Sequence, residues 1–193
     1  MYREQATDEE PPAVRWLPFQ LNPDLPEGGI TREAYLERRF GSSAPRDYSH
    51  LLAIGKELGI DFAFDKITVQ PNTLAAHRLL MYGARLERED QVAESLFRAY
   101  FQEGAVIVDP AVLADIGERA GLERAALETY LASEQDRNTV LQADIESRQA
   151  GIDGVPFFIF NRRIAVSGAH EPETLLQAMQ EAIEDGAARP SSV

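Results

Sequence analysis

Few side chains in these 193 residues are placed to do covalent chemistry. There is no cysteine, which removes disulfides, zinc–thiolate centres and thiol nucleophiles together. The histidines His50, His77 and His170 are too scattered for metal-ligand spacing, so no metal site is assigned. Ser42-Ser43 has neither a paired histidine nor a Gly-x-Ser-x-Gly elbow, and nucleophilic serine chemistry gets no support. Glu87, Glu89 and Asp90 stand beside Arg85 and Arg88, the pattern of a solvated helix junction and not of paired catalytic carboxylates. No glycine-rich phosphate loop is present, and no residue is assigned a catalytic role. What remains is Gly154-Val155-Pro156, the run Phe157-Phe158-Ile159-Phe160, then Asn161-Arg162-Arg163 and Ile164-Ala165-Val166-Ser167-Gly168. This reads as a proline-led strand, a turn and a second strand. From the sequence alone trans is the default at Pro156, since cis occurs in about 5–6% of X-Pro bonds.

A chain of this length buries one substantial core or two modest lobes. Its 44% hydrophobic and 26% charged content is ordinary for a globular protein, and no apolar run approaches the roughly 20 residues that span a bilayer. The first twelve residues are polar and acidic, without the basic start and apolar stretch of a signal peptide, so the cytoplasm is the expected compartment. A net charge of −13 repels a phosphate backbone, so neither nucleic acid nor an anionic membrane is an expected partner.

The elements that must position the hairpin are mostly helical. Residues 13–19, rich in β-branched and aromatic types, predict a strand, and the prolines and glycines of 21–29 predict a loop. Thr31 caps a helix over 32–40 that Gly41 stops, and Pro45 to Leu58 predicts another that ends at Gly59. Asn72 caps a helix over 73–87; residues 89–103 put Val92, Leu96, Ala99 and Tyr100 on one face. Asp109-Pro110 starts a helix that runs to Ala120, and two more are expected at 123–132 and 134–149. A last helix over 172–185 should bury Leu175, Leu176, Met179 and Ile183, with a frayed tail after Gly186. The helical block between strand signals reads as an insertion.

Phe19-Gln20-Leu21-Asn22-Pro23, Asn72-Thr73-Leu74-Ala75-Ala76-His77-Arg78, Leu96-Phe97-Arg98-Ala99-Tyr100-Phe101, Gly154-Val155-Pro156-Phe157-Phe158 and Ser167-Gly168-Ala169 follow one another as in a known family. In them the chain resembles the DsbA family, and more narrowly its cytoplasmic FrnE-like branch, first associated with polyketide biosynthesis. The resemblance implies an α/β, thioredoxin-like core interrupted by an all-helical insertion. The core would be discontinuous, 1–28 with 150–193, around an insertion at 29–149. It implies thiol–disulfide oxidoreductase or isomerase chemistry, in which a Cys-x-x-Cys at a helix N-terminus supplies a thiolate stabilised by helix-end N–H groups. Opposite that thiolate, the loop before a cis-proline, here Gly154, Val155 and Pro156, would pair with an extended, disulfide-containing peptide. Asn22 and His77 join them as candidate substrate contacts, a packed histidine being the alternative for His77.

In the family a central strand and the cysteine-bearing helix precede the segment equivalent to 13–19. The twelve residues upstream here are too few for a strand of about five residues, a turn and a three-turn helix. The central first strand is therefore expected to be missing, through an N-terminally shortened sequence, with an in-frame Cys-x-x-Cys about 20–30 residues upstream. The sheet would then have a gap or borrow a strand from a second copy, so a homodimer is among the expected assemblies. Two alternatives stay open. One is a glutathione-dependent isomerase or transferase of the related 2-hydroxychromene-2-carboxylate isomerase and kappa class, its loop gripping glutathione; the other is a peptide-binding module with no catalysis and no cofactor.

Overall fold

The computed structural model describes residues 12–41 and 47–187; the expected helix start at Pro45 and most of the expected frayed tail lie outside them. The chain divides into two compact units. Arg15–Ile145 makes one, and among the described residues 12–14 and 146–187 make the other. Residues 15–28 thus cluster with the helices.

In the larger unit a two-residue ladder pairs β1, Ile30–Thr31, with β2, Val69–Gln70, antiparallel in the register Ile30↔Gln70 and Thr31↔Val69. The helices of this unit are α1 (Arg32–Phe40), α2 (Ser49–Glu57), a 3₁₀ turn (Phe64–Lys66), α3 (Leu74–Arg85), α4 (Glu89–Phe101), α5 (Pro110–Arg119), α6 (Arg124–Ala132) and α7 (Arg137–Gln149), the last belonging to it as far as Ile145. Local chemistry sets their ends. The Thr31 hydroxyl accepts from Ala34 N at 3.2 Å, and Gly41 closes α1 in the left-handed region at φ 71°. The Asp109 carboxylate accepts from Ala111 N ahead of Pro110, and Glu123 does the same for the first N–H groups of α6. Side-chain acceptors there take N–H groups that the helix itself cannot satisfy.

The core of this unit is Leu79, Val92, Leu113, Ile116 and Leu127, each under 2% exposed, ringed by Ile67, Leu80, Tyr100, Ile107 and Leu122. Burying each large aliphatic side chain contributes about 1.5–3 kcal/mol. At Gly117 a Cβ would lie 2.2 Å from Leu127 Cδ2, so α5 and α6 approach closely only because this position has no side chain.

The expected strand at 13–19 does not form; residues 12–20 carry no regular structure. A strand is defined by its ladder, and among the described residues no strand lies beside this one. Helix side chains take its backbone groups instead: Trp16 N donates to Glu89 Oε1 at 3.1 Å and Gln20 N to Asp144 Oδ1 at 2.7 Å. Val14 and Leu17 are left exposed.

The smaller unit is a hairpin with a helix on it. β3, Phe157–Phe160, pairs antiparallel with β4, Ile164–Ser167, from Phe157↔Ser167 to Phe160↔Ile164. Asn161 and Arg162 turn the chain with φ of 50° and 58°, and the Asn161 amide donates to Ala182 O at 3.3 Å in α8, Pro172–Ala187. The helix seats Ala178 and Ala182 most deeply, with Leu175, Leu176 and Met179 half-buried. Ile183, expected on the buried face, is 46% exposed; the short hairpin is too narrow to cover the whole apolar stripe.

Candidate functional site

The residues marked out by the sequence fall in both units, Gly154, Val155 and Pro156 in the smaller and Asn22 and His77 in the larger. In the smaller unit the Val155–Pro156 peptide is cis. Pro156 O accepts from Gly168 N at 2.9 Å, which ties the loop to the far end of β4. Val155 is 55% exposed, and among the described residues neither its N–H nor its carbonyl makes a hydrogen bond. An unpaired peptide group at the mouth of a strand pairs readily with an added chain. Gly154 is not in the left-handed region, and a Cβ there would meet nothing within 4 Å; the approach to Val155 is open. Among the described residues β3 is bonded along one edge only, to β4. Phe157 and Ile159, two residues apart on one face of β3, line a pocket of about 180 Å³ with Ile152 and the Arg162 and Arg163 stems. It holds roughly one side chain, well below the ~300 Å³ at which ligand pockets begin.

In the larger unit the motif that starts at Asn72 organises backbone. The Asn72 side chain accepts from Leu74 N at 2.9 Å, so it caps α3, and donates to Leu25 O at 2.8 Å, so it also holds the 21–28 loop. His77 Nε2 meets Phe19 O at 3.1 Å. Burial holds its imidazole below the usual range, against the opposing pull of the Phe19 carbonyl and the Asp144 charge. A neutral ring with Nε2 protonated donates to that carbonyl. Asp144 accepts from the N–H of Gln20, the other half of the same peptide plane. The Phe19–Gln20 peptide is thus clamped on both sides. Asp144 escaped the sequence reading, although an acid one turn after Val140 on the buried side of α7 was its available signal.

Arg78 goes deepest. At 6% exposure its guanidinium donates to the carbonyls of Gln135 at 2.8 Å, Leu131 at 3.3 Å, Tyr130 at 3.0 Å and Ser133 at 2.6 Å. These lie at the C-terminal end of α6, where orphan carbonyls and the negative end of the helix dipole suit a cation. Asn22 is part of a turn, its carbonyl accepting from Leu25 N at 3.3 Å. Glu89 and Asp90, read from sequence as a solvated junction, hold Trp16, whose Nε1 donates to Asp90 Oδ1 at 2.9 Å and whose ring packs on Phe97 at 5.7 Å. No cluster of metal-ligating side chains occurs among the described residues, and no helix there is long and apolar enough to cross a membrane.

Comparison with known proteins accounts for the order of these features. The sequence profile of the DSBA-like thioredoxin domain matches residues 2–180. The uncharacterized protein YwbO of Bacillus subtilis (strain 168) is 23% identical over 171 residues, covering 86% of this chain and 80% of that protein. The crystal structure of a probable DsbA oxidoreductase, SCO1869 from Streptomyces coelicolor, superposes with a TM-score of 0.80 at 25% identity, over 91% of this chain and 76% of that one.

Proposed function

The chain belongs to the DSBA-like thioredoxin domain family, and on that premise we propose that it is the substrate-recognition part of a FrnE-like thiol–disulfide oxidoreductase. Its fold is the α/β, thioredoxin-like one of that family with a large helical complement. The observation that carries the reading is Val155, whose exposed peptide group has no partner among the described residues at the entrance to β3. An extended peptide bearing a disulfide would pair there and send an alternate side chain toward the pocket beside Phe157 and Ile159, as in strand addition generally. The exchange itself requires a thiolate, and these residues include none. In this reading the reacting cysteine pair is one that these residues do not carry.

The test uses an eight-residue Val/Thr peptide with a central mixed disulfide, and a set of its backbone N-methyl derivatives. The 193-residue chain should bind the parent peptide without turning it over. One N-methyl position should lose about two- to tenfold in affinity, the value of one backbone hydrogen bond. Equal binding of every N-methyl derivative would refute strand pairing. Catalytic reduction of the disulfide by the chain alone would refute the account of the chemistry.

A further inference from the structure

Four arginines among the described residues are at least partly withdrawn from solvent, Arg32, Arg78, Arg124 and Arg137. Three have their charge met. Arg124 pairs with Asp115, Glu118 and Glu128, and Arg137 with Glu27 and Glu134. Arg78 has the carbonyls at the end of α6. Arg32 differs: its Nη1 donates to Gln70 Oε1 and its Nη2 to Tyr48 Oη at 3.1 Å, both neutral acceptors. No carboxylate among the described residues lies within ion-pairing distance of it, in a chain with 32 acidic residues.

Around Arg32 lie phenol rings and an amide, and no carboxylate among the described residues. Its guanidinium sits 5.7 Å from the Tyr35 ring centroid. Tyr48 Oη spends a lone pair on Arg32, which leaves its proton to donate outward. Tyr100 is 9% exposed, and its hydroxyl reaches Val69 O only at 3.5 Å. Burial pushes the Tyr100 phenol up, so it stays protonated, and its proton is directed to Val69 O. A cation with spare N–H groups, flanked by the Tyr48 hydroxyl and by no carboxylate among the described residues, is complementary to a small oxyanion. Gln70, buried at 8% and fixed in β2, holds the guanidinium in place from behind.

We propose that Arg32 and Tyr48 form a binding site for a small oxyanion, a phosphate or carboxylate group, in the larger unit. Arg32 leads α1 directly from β1, with its N–H donating to Thr68 O at 2.8 Å; the ligand would lock the ladder, α1 and Tyr48 together.

Calorimetric titration of the 193-residue chain with sodium phosphate, and separately with sodium acetate, against sodium chloride at matched ionic strength tests this. A saturable one-to-one heat is expected with phosphate or acetate, and which of the two binds more tightly identifies the ligand group. Arg32→Gln should weaken that binding about tenfold or more and Tyr48→Phe about three- to tenfold. Arg38→Gln, which alters an exposed arginine on the same helix, should leave it unchanged. No saturable heat with either anion overturns the proposal, and so does undiminished binding by Tyr48→Phe, which keeps the test decisive even if Arg32→Gln fails to fold.

Discussion

Replacing Arg78 with methionine decides whether the Asn72–Arg78 motif builds the fold or serves the site. Methionine keeps most of the aliphatic stem and removes the guanidinium, so four hydrogen bonds disappear together. Their acceptors do not suffer equally. Tyr130 O keeps bonds from Ser133 N at 3.1 Å and Ser133 Oγ at 2.7 Å, and Gln135, being exposed, can turn to water. Leu131 O, on a residue 9% exposed, loses its charged donor. A buried acceptor stripped of its partner costs about 1–3 kcal/mol, and a hydrogen bond to a charged group about 1.5–3 kcal/mol. With the partly buried Ser133 O counted at a fraction of that, Arg78→Met should lose about 3–4 kcal/mol, a large share of a typical domain's 5–15 kcal/mol. Arg78→Lys retains the charge but not the fork, and should lose about half as much. Urea denaturation followed by helical circular dichroism, comparing midpoints at equal m-value, is the assay. A loss below about 1 kcal/mol for Arg78→Met would refute the reasoning. The carbonyls at the end of α6 would then be no worse served by water than by the guanidinium.

Other consequences can be checked in the same way. Gly117→Ala sets a helix-propensity gain of about 1 kcal/mol against a contact at 2.2 Å with Leu127, and overpacking of about 1–3 kcal/mol should win. In the Gly117→Ala/Leu127→Ala pair, the denaturation midpoints should be less than additive, since each change makes room for the other. Because burial depresses the folded-state pKa of His77 below 6.5, the unfolded chain takes up its proton first as pH falls. Stability from this group is thus intact above about pH 6.5 and declines below it, with a limiting slope of about 1.4 kcal/mol per pH unit, and His77→Gln should flatten the curve there in pH-dependent melts. Asp144→Leu strands the N–H of Gln20 and should lower stability by about 1–3 kcal/mol in urea titrations, whereas Asp144→Asn, which keeps an acceptor, should lose less.

The helices were legible because their boundaries are local. Thr31, Asp109-Pro110 and Gly41 each act within about a turn of their own position, and the structure places helix ends accordingly. The segment 13–19 was misread for the opposite reason. Its composition suits a strand, but a strand exists only if another lies alongside, and composition carries no information about that neighbour. The two-residue ladder of β1 with β2 was missed because two residues leave no period to detect.

By itself the sequence determined that no thiol chemistry resides in these residues, that helices fill the middle of the chain, and that its motifs follow the order of one family; all of this is written in residue types and short spacings. Tertiary structure alone decided what those motif residues do. Arg78 finds its carbonyls more than fifty residues on, and Asp144 reaches back 124 residues to the Phe19–Gln20 peptide that His77 holds from its other side. Among the described residues Val155 keeps its peptide group unpaired at the head of β3, and Arg32 is bonded to a phenol and an amide where a carboxylate was available in the composition. Such partnerships depend on which backbone groups the packed helices leave unsatisfied, and that is settled only once distant segments meet.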